Sequence, residues 1–223
     1  MKFTAVGFDL DGTLYPNVSF YIHLIPFLLT ESRLLRALDK ARRLLRNTGD
    51  YGGDFYGLQA GLMAEILNES PEKVKERTER LIYRGWESHF KKVRLFPRVR
   101  ETLDAFRKEG IKVGLLSDFP PETKLENLGI SGYWDAVVCS EITGRLKPDP
   151  ASFLELAGRL KAAPEEILYV GNSVSYDVEG ARRAGMKAAL IRPGWKMRTA
   201  AIRTSAPDFV FCNYRQLHDY VLS

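Results

Sequence analysis

Residues 3–13, with the sequence FTAVGFDLDGT, decide how the rest of the chain is interpreted. The apolar residues at the start of this stretch predict a buried β-strand. Side chains alternate along a strand, so Asp9 and Asp11 can lie together at its carboxyl end. Two carboxylates that close repel each other, and a cation or a shared proton relieves the repulsion. With the tight turn that Gly12 permits and the hydroxyl of Thr13, this cluster is suited to chemistry on a phosphate held by Mg²⁺.

Short apolar runs recur along the chain, and amphipathic stretches follow them. The alternation predicts βαβ units and therefore an α/β fold, a doubly wound, Rossmann-like parallel sheet with helices on both faces. In such sheets ligands bind at the carboxyl ends of the strands. The predicted strands are Thr4–Phe8, Lys112–Leu116, Ala136–Cys139, Ile167–Val170, Ala188–Ile191 and Phe209–Phe211. The predicted helices between them are Val99–Lys108, Pro121–Leu128, Pro150–Leu160 and Val178–Ala184.

The long interval between the first and second strands has helical periodicity and few strand signals. Leucine-rich helical patterns cover Ser32–Arg46 and Gly57–Leu67, and Ser70 followed by Pro71 is typical of a helix start. We therefore predict a core domain from residues 1–15 and 94–223 and an inserted α-helical cap domain from residues 16–93.

Composition narrows the classes of protein that the chain can belong to. The 223 residues carry a net charge of +5, but basic and acidic residues are interspersed, so we expect no nucleic-acid partner. The most apolar segment, Phe20–Leu29, is too short to span a bilayer, so we expect no membrane anchor. Cys139 and Cys212 lie in apolar stretches, and no signal-peptide pattern precedes the first strand, so we expect a cytoplasmic protein.

Polar side chains follow three more of the predicted strands. Ser117 and Asp118 come after the second strand, Lys147 lies in the loop after the third, and Asn172 and Asp177 follow the fourth. Taken singly, each has an ordinary structural interpretation, as a helix cap, a turn former or a solvated lysine. Together with the first strand they place chemistry-bearing groups at one edge of the sheet, which favours a functional site over four unrelated structural details.

These four segments resemble the motifs of the haloacid dehalogenase-like hydrolase superfamily, in its branch with a helical cap after the first strand. Residues 9–13 match its first motif, Ser117 the second, Lys147 the third and residues 171–177 the fourth, and the resemblance covers essentially the whole chain. The resemblance implies a phosphatase that hydrolyses a small-molecule phosphate ester.

In the mechanism that the resemblance implies, Asp9 attacks phosphorus to form an aspartyl-phosphate. Asp11 protonates the leaving oxygen and then activates water, and Lys147 assists as a catalytic cation. The resemblance further implies a Mg²⁺ site of Asp9, Asp11 (through its backbone carbonyl), Asn172 and Asp177, and a phosphoryl site of Thr13, Ser117, Asp118 and Lys147. The presence of Asp11 argues against dehalogenation, because the dehalogenase branch typically lacks that second aspartate.

One residue departs from the family pattern. The fourth motif usually has an acidic residue where this chain has Asn172. An amide oxygen can coordinate a cation but carries no charge, so we expect weaker Mg²⁺ binding, with Asp177 carrying more of the electrostatic load. Two other functions therefore stay open: phosphoryl transfer as in phosphoglucomutase-like relatives, and a binding or regulatory protein with little turnover.

The cap is expected to choose the substrate, and the oligomeric state, monomer or homodimer, stays open. Tyr15, Asn17, Phe20, His23 and the turn Tyr51–Tyr56 can face the catalytic pair, although packing is the commoner role of such aromatic residues. A basic cluster on one predicted helix is interpreted as a solvated face, with an anion-attracting lid as the alternative. Its members are Arg33, Arg36, Arg42, Arg43 and Arg46. The basic stretch Arg192–Arg203 has no functional interpretation.

Overall fold

A computed structural model describes residues 2–48, 53–193 and 206–223. In this part of the chain six parallel strands form one sheet in the order β3-β2-β1-β4-β5-β6. The strands are β1 (Ala5–Phe8), β2 (Lys112–Ser117), β3 (Ala136–Cys139), β4 (Ile167–Gly171), β5 (Lys187–Ile191) and β6 (Phe209–Phe211). The sheet confirms the predicted doubly wound α/β fold. β2 and β4 end one residue later than predicted, β5 begins one residue earlier, and β1 begins one residue later.

The strand order reverses beside β1, where a crevice forms in folds of this type. Phe8 of β1 is in register with Leu115 of β2 and with Val170 of β4. The next backbone N–H, that of Asp9, donates to the carbonyl of Val170 at 2.9 Å. The carboxyl ends of the three central strands therefore lie side by side.

The described part of residues 16–93 is largely helical, as predicted. Its helices are α1 (Asn17–His23), α2 (Ile25–Thr30), α3 (Ser32–Thr48), α4 (Phe55–Leu67), α5 (Pro71–Thr78) and α6 (Glu87–Phe90), with a π-helical turn at Glu79–Tyr83. The predicted start of α5 is present, because Ser70 caps it by accepting the backbone N–H of Lys73 at 3.4 Å. Among the helices of the described ranges, none combines the length and the apolar composition needed to cross a membrane.

Residues 16–93, the cap segment, pack in two ways. Its middle has an apolar cluster of its own, which includes Leu34, Met63 and Val74. Its ends, through Phe20 and Phe90, instead pack into the main cluster beneath the sheet. The separation of the chain into domains at residues 15 and 94 therefore stays a prediction, while the helical insertion itself is present.

The remaining helices flank the sheet. They are α7 (Val99–Lys108), α8 (Glu122–Leu128), α9 (Ser140–Thr143), α10 (Pro150–Leu160), α11 (Glu179–Arg183) and α12 (Tyr214–Leu222), with a second π-helical turn at Val174–Val178. This turn includes Val178, where the predicted helix begins, so α11 begins one residue later than predicted, at Glu179. Apolar clusters lie on both faces of the sheet, which leaves its carboxyl edge as the place for polar groups.

Candidate active site

Three buried charged side chains from separate segments meet at the carboxyl edge of the sheet. Lys147, in the loop before α10, places its Nζ 2.6 Å from Asp9 Oδ1 and 2.8 Å from Asp177 Oδ1. All three side chains are at most 9% exposed. The structure therefore brings together the predicted nucleophile, the predicted catalytic lysine and one predicted metal ligand.

The turn after β1 fixes the other oxygen of Asp9. Thr13 Oγ1 donates to Asp9 Oδ2 at 2.7 Å, and Thr13 is fully buried. Gly12 has a φ of +84°, and a Cβ at this position would lie 2.0 Å from Nδ2 of Asn172. Glycine adopts this conformation without strain and leaves room for Asn172, so the turn packs directly against the loop after β4.

The buried trio is one positive charge short of neutrality, because one ammonium faces two carboxylates. Burial and the nearby Asp177 raise the pKa of Asp9 to about 7, although Lys147 acts in the opposite direction. For Lys147, burial lowers the pKa, but the attraction of Asp177 and Asp9 outweighs it and raises the pKa well above its usual value. The deficit favours a cation beside Asp9.

The loop after β4 turns its polar groups inward. Asp177 Oδ2 accepts the backbone N–H groups of Asn172 at 3.0 Å and Ser173 at 2.9 Å. The side-chain Nδ2 of Asn172 donates to the backbone carbonyl of Asp11 at 2.6 Å. Arg192 Nη1 supports the loop by donating to the carbonyl of Asn172 at 3.0 Å; the rest of the unexplained basic stretch, from residue 194, lies outside the described residues.

The donor set at this edge fits a hard divalent cation. Asp9 offers a carboxylate, Asp11 a backbone carbonyl, and Asn172 an amide whose oxygen and nitrogen exchange places by a half turn of the side chain. The carboxylate of Asp177 is already engaged by Lys147 and the two backbone N–H groups, so it lies behind these donors. In the described ranges, His, Cys, Asp and Glu side chains form no metal-binding group of three or more, so an ion here would depend on carbonyl and amide oxygens as well as on carboxylates.

The two residues after β2 have different surroundings. Ser117 is buried at the end of the strand, where its Oγ accepts the backbone N–H of Phe119 at 3.2 Å. Asp118 Oδ1 accepts the backbone N–H of Lys147 at 3.2 Å, and its Oδ2 binds Arg46 Nη2 at 2.7 Å. Burial raises the pKa of Asp118, but Lys147, Arg42 and Arg46 outweigh it and lower the pKa below its usual value. Asp118 therefore links the Lys147 loop to the cap segment, and its predicted contact with substrate stays a prediction.

A buried ion pair also joins the cap segment to the core. Arg42 of α3 forms it with Glu141 of α9, and both side chains are at most 5% exposed. Glu141 also accepts hydrogen bonds from Tyr83 at 3.0 Å and Tyr56 at 3.2 Å, and Gln59 Oε1 accepts one from Arg42 at 3.4 Å. Burial opposes the charge of Arg42, but Glu141 and Asp118 outweigh it and raise the pKa of the guanidinium.

These contacts correct one sequence-based interpretation. The prediction that the basic cluster is solvated holds for Arg43, whose side chain is 68% exposed, but it is wrong for Arg42 and Arg46. Arg46, besides binding Asp118, donates from Nε to the backbone carbonyl of Lys147 at 2.8 Å. The spacing of four residues that puts both arginines on one helix face was visible in the sequence, but their acidic partners were not.

Some of the residues expected to face the catalytic pair are close to it. The hydroxyl of Tyr15 donates to Asp11 Oδ1, and Asn17 lies against Gly12. Phe20 lines the same cavity as Asp11 and is stacked on Phe90, with ring centroids 4.4 Å apart. The side chain of His23 and the beginning of the turn at Tyr51 lie outside the described residues.

The sequence analysis missed the partner of Asp11. Lys124 of α8 places its Nζ 2.9 Å from Asp11 Oδ1 and 2.7 Å from Oδ2. Both side chains line a cavity of about 390 Å³ between the core and the cap segment, together with Phe90, Phe119 and Arg46. The available signal was the position of Lys124 in the first turn of a helix that begins next to the active edge of the sheet.

Comparisons with known proteins agree with this geometry. Residues 3–185 match the sequence model of the haloacid dehalogenase-like hydrolases. The chain is 32% identical to a glyceraldehyde 3-phosphate phosphatase of Methanopyrus kandleri, over 97% of this chain and 96% of that protein. It is 27% identical to a phosphoglycolate phosphatase of Haemophilus influenzae, over 97% of each.

A solved structure of a 2-haloacid dehalogenase from Pseudomonas syringae pv. Tomato superposes with a TM-score of 0.68 at 26% identity, covering 99% of this chain and 98% of that one. The family match spans most of the chain, and the first relative spans nearly all of it. The chain therefore belongs to the haloacid dehalogenase-like hydrolase family.

Proposed function

We propose that this hydrolase is a Mg²⁺-dependent phosphatase that releases inorganic phosphate from small phosphorylated metabolites. The observation that carries the proposal is the Asp9 carboxylate, held by Lys147 at 2.6 Å and by Thr13 at 2.7 Å beside a second aspartate. The two relatives named above are phosphatases of small phosphorylated metabolites, and the cavity of about 390 Å³ beside Asp11 suits a leaving group of that size.

In the first step an oxygen of the Asp9 carboxylate attacks phosphorus, and the bond from phosphorus to the ester oxygen breaks. Asp11 acts as the general acid and donates a proton to the departing oxygen, so that the alcohol leaves neutral. Lys147 and the backbone N–H groups of the turn after β1 stabilise the negative charge on the transferring phosphoryl group.

In the second step Asp11 accepts a proton from water, and the water oxygen attacks the phosphorus of the aspartyl-phosphate. The bond to Asp9 breaks, which regenerates its carboxylate and releases inorganic phosphate. Asp11 is then protonated again and ready for the next ester.

The Mg²⁺ ion would be held by Asp9, the Asp11 carbonyl and the Asn172 amide, with Asp177 behind them. When bound, the ion neutralises phosphate charge and orients the ester for attack. Asn172 supplies no negative charge to this site, which is why we expect Mg²⁺ binding weaker than an acidic residue would give.

The similarity to a dehalogenase structure makes halide release the reaction to separate from phosphate release. Asp11 favours the phosphatase, because protonation of an ester oxygen needs an acid at this position, whereas a halide leaves without a proton. The deficit of positive charge around Asp9 points the same way, since it favours a bound cation, and a cation offsets the charge of a phosphate group.

The experiment measures phosphate and halide release from a panel that contains phosphoglycolate, glyceraldehyde 3-phosphate, an aryl phosphate and 2-haloacids, with and without Mg²⁺. We expect phosphate release that needs both Mg²⁺ and Asp9, and no release by Asp9→Asn. Asp104→Asn, at an exposed position of α7, is the matched control and should retain activity.

Three outcomes would contradict the proposal. Halide release without phosphate release would indicate a dehalogenase, and transfer of the phosphoryl group within a sugar phosphate would indicate a mutase. A folded, metal-loaded protein that released nothing from any ester would indicate a binding protein.

A further inference from the structure

The two aspartates of the first motif form ion pairs with two different lysines. Lys147 contacts Asp9. Lys124 contacts the carboxylate of Asp11, with its Nζ 2.7 Å and 2.9 Å from the two oxygens. The Tyr15 hydroxyl donates to the same carboxylate. Asp11 is therefore held from two sides, by a residue four positions away in sequence and by one from a different part of the fold.

The fold fixes Lys124 firmly. Helix α8, which carries it, buries Leu125 and Leu128 in the main apolar cluster. The neighbouring Thr123 hydroxyl donates to the Glu87 side chain at 3.3 Å, and Asn127 donates to the Glu87 backbone carbonyl at 3.3 Å. The helix is thus attached both to the core and to the last helix of the cap segment, and Lys124 faces inward between these attachments.

Aromatic rings enclose the ammonium. The Nζ of Lys124 lies 5.1 Å from the ring centroid of Phe90 and 5.4 Å from that of Phe119. The Lys124 side chain is 13% exposed and that of Asp11 is 31% exposed. Rings that face a cation attract it, and a partly buried ion pair is screened less than one on the surface, so this pair is held in place better than an exposed one.

We propose that Lys124 is a positioning residue that holds the Asp11 carboxylate where it must transfer a proton to the leaving oxygen. The proposal rests on the proposed phosphatase function. Proton transfer requires heavy atoms within about 2.6–3.2 Å of each other, and a displacement of about 1 Å can cost about 10²-fold in rate. Lys124 acts through Asp11, because the ammonium that contacts the nucleophile is that of Lys147.

This role makes a prediction that depends on the leaving group. An alkyl phosphate releases a basic alkoxide and needs a proton from Asp11, whereas a nitrophenyl phosphate releases a stable phenolate and needs almost none. The constant kcat/KM reports the steps up to departure of the leaving group. For Lys124→Met we therefore expect kcat/KM to fall by about 10²-fold with the alkyl ester and by no more than a few-fold with the nitrophenyl ester.

The controls separate positioning from loss of charge and from misfolding. Lys108→Met removes a lysine at the exposed end of α7 and should leave both esters unaffected. Lys124→Gln is a second, polar replacement and should reproduce the selective loss. In an Asp11→Asn background, Lys124→Met should add little further loss on the alkyl ester, because both changes remove the same proton transfer.

Equal losses on the two esters, or none, would overturn the proposal for Lys124 while leaving the phosphatase function intact. Phosphate release that persists in Asp9→Asn would contradict the phosphatase function instead. A crystal structure of Lys124→Met gives a readout that does not depend on turnover: the Asp11 carboxylate should leave its position, and an unmoved carboxylate would overturn the positioning role.

Discussion

The inner and outer parts of the site are built differently. The inner part, around Asp9, Lys147 and Asp177, comes from loops that follow parallel strands, and its side chains are at most 9% exposed. The outer part, around Asp11 and Asp118, is completed by Lys124 of α8 and by arginines of the cap segment. The side chains of the inner part all come from core segments, whereas the outer part combines core side chains with arginines of the cap segment.

Lys147→Met tests the inner part and should have the largest effect. It leaves Asp9 and Asp177 buried without their ammonium. We expect kcat/KM for phosphate esters to fall by about 10²–10³-fold or more, and the free energy of unfolding to fall by about 3–5 kcal/mol. Steady-state kinetics and urea denaturation measure the two effects, with Lys108→Met as the control. A variant with near-normal activity would remove Lys147 from the phosphoryl site.

Arg42→Met tests the outer part. It leaves Glu141 buried without its guanidinium, so the free energy of unfolding should fall by about 3–5 kcal/mol. The double variant Arg42→Met/Glu141→Leu should regain much of that loss, because no unpaired charge stays buried. Urea denaturation compares the three proteins. If the double variant were less stable than Arg42→Met alone, the unpaired charge of Glu141 would not be the cause of the lost stability.

The pH dependence of Mg²⁺ binding tests the inner part through the ionisation of Asp9. The pKa of Asp9 in the metal-free protein is about 7, and the cation requires the ionised carboxylate. Below this pH, binding releases a proton, so the apparent affinity should rise by up to about tenfold for each pH unit and level off above about pH 7. Calorimetry at several pH values measures it. A Mg²⁺ affinity that fell as the pH rose from 5 to about 7 would contradict this prediction.

Asn172→Asp should have a smaller effect, restricted to the cation. It adds a carboxylate beside the Asp11 carbonyl and removes the N–H group that now binds that carbonyl at 2.6 Å. We expect the Mg²⁺ concentration for half-maximal activity to fall by about three- to tenfold. The metal-free variant should melt at a lower temperature than the wild type and gain more from added Mg²⁺. An unchanged or higher Mg²⁺ requirement would contradict the assignment of Asn172.

The same division explains what could be predicted from the sequence. The strands and the inner side chains follow from alternation, periodicity and the rule that parallel strands end at one edge, so Asp9, Ser117, Lys147 and Asp177 could all be placed there. That rule says nothing about how the cap segment docks. Arg42 was therefore interpreted as solvated although it is buried. The rule is equally silent on side chains of the helices that flank the sheet, so Lys124 of α8 went unnoticed.

The most direct test of the account is to trap the phosphorylated protein. In Asp11→Asn an aryl phosphate should still phosphorylate the nucleophile, because its leaving group needs no proton, while hydrolysis by water becomes slow. Acid quenching followed by peptide mass spectrometry should locate one phosphoryl group on Asp9, and none in Asp9→Asn. A phosphoryl group on another residue, or none during measurable turnover, would contradict the account.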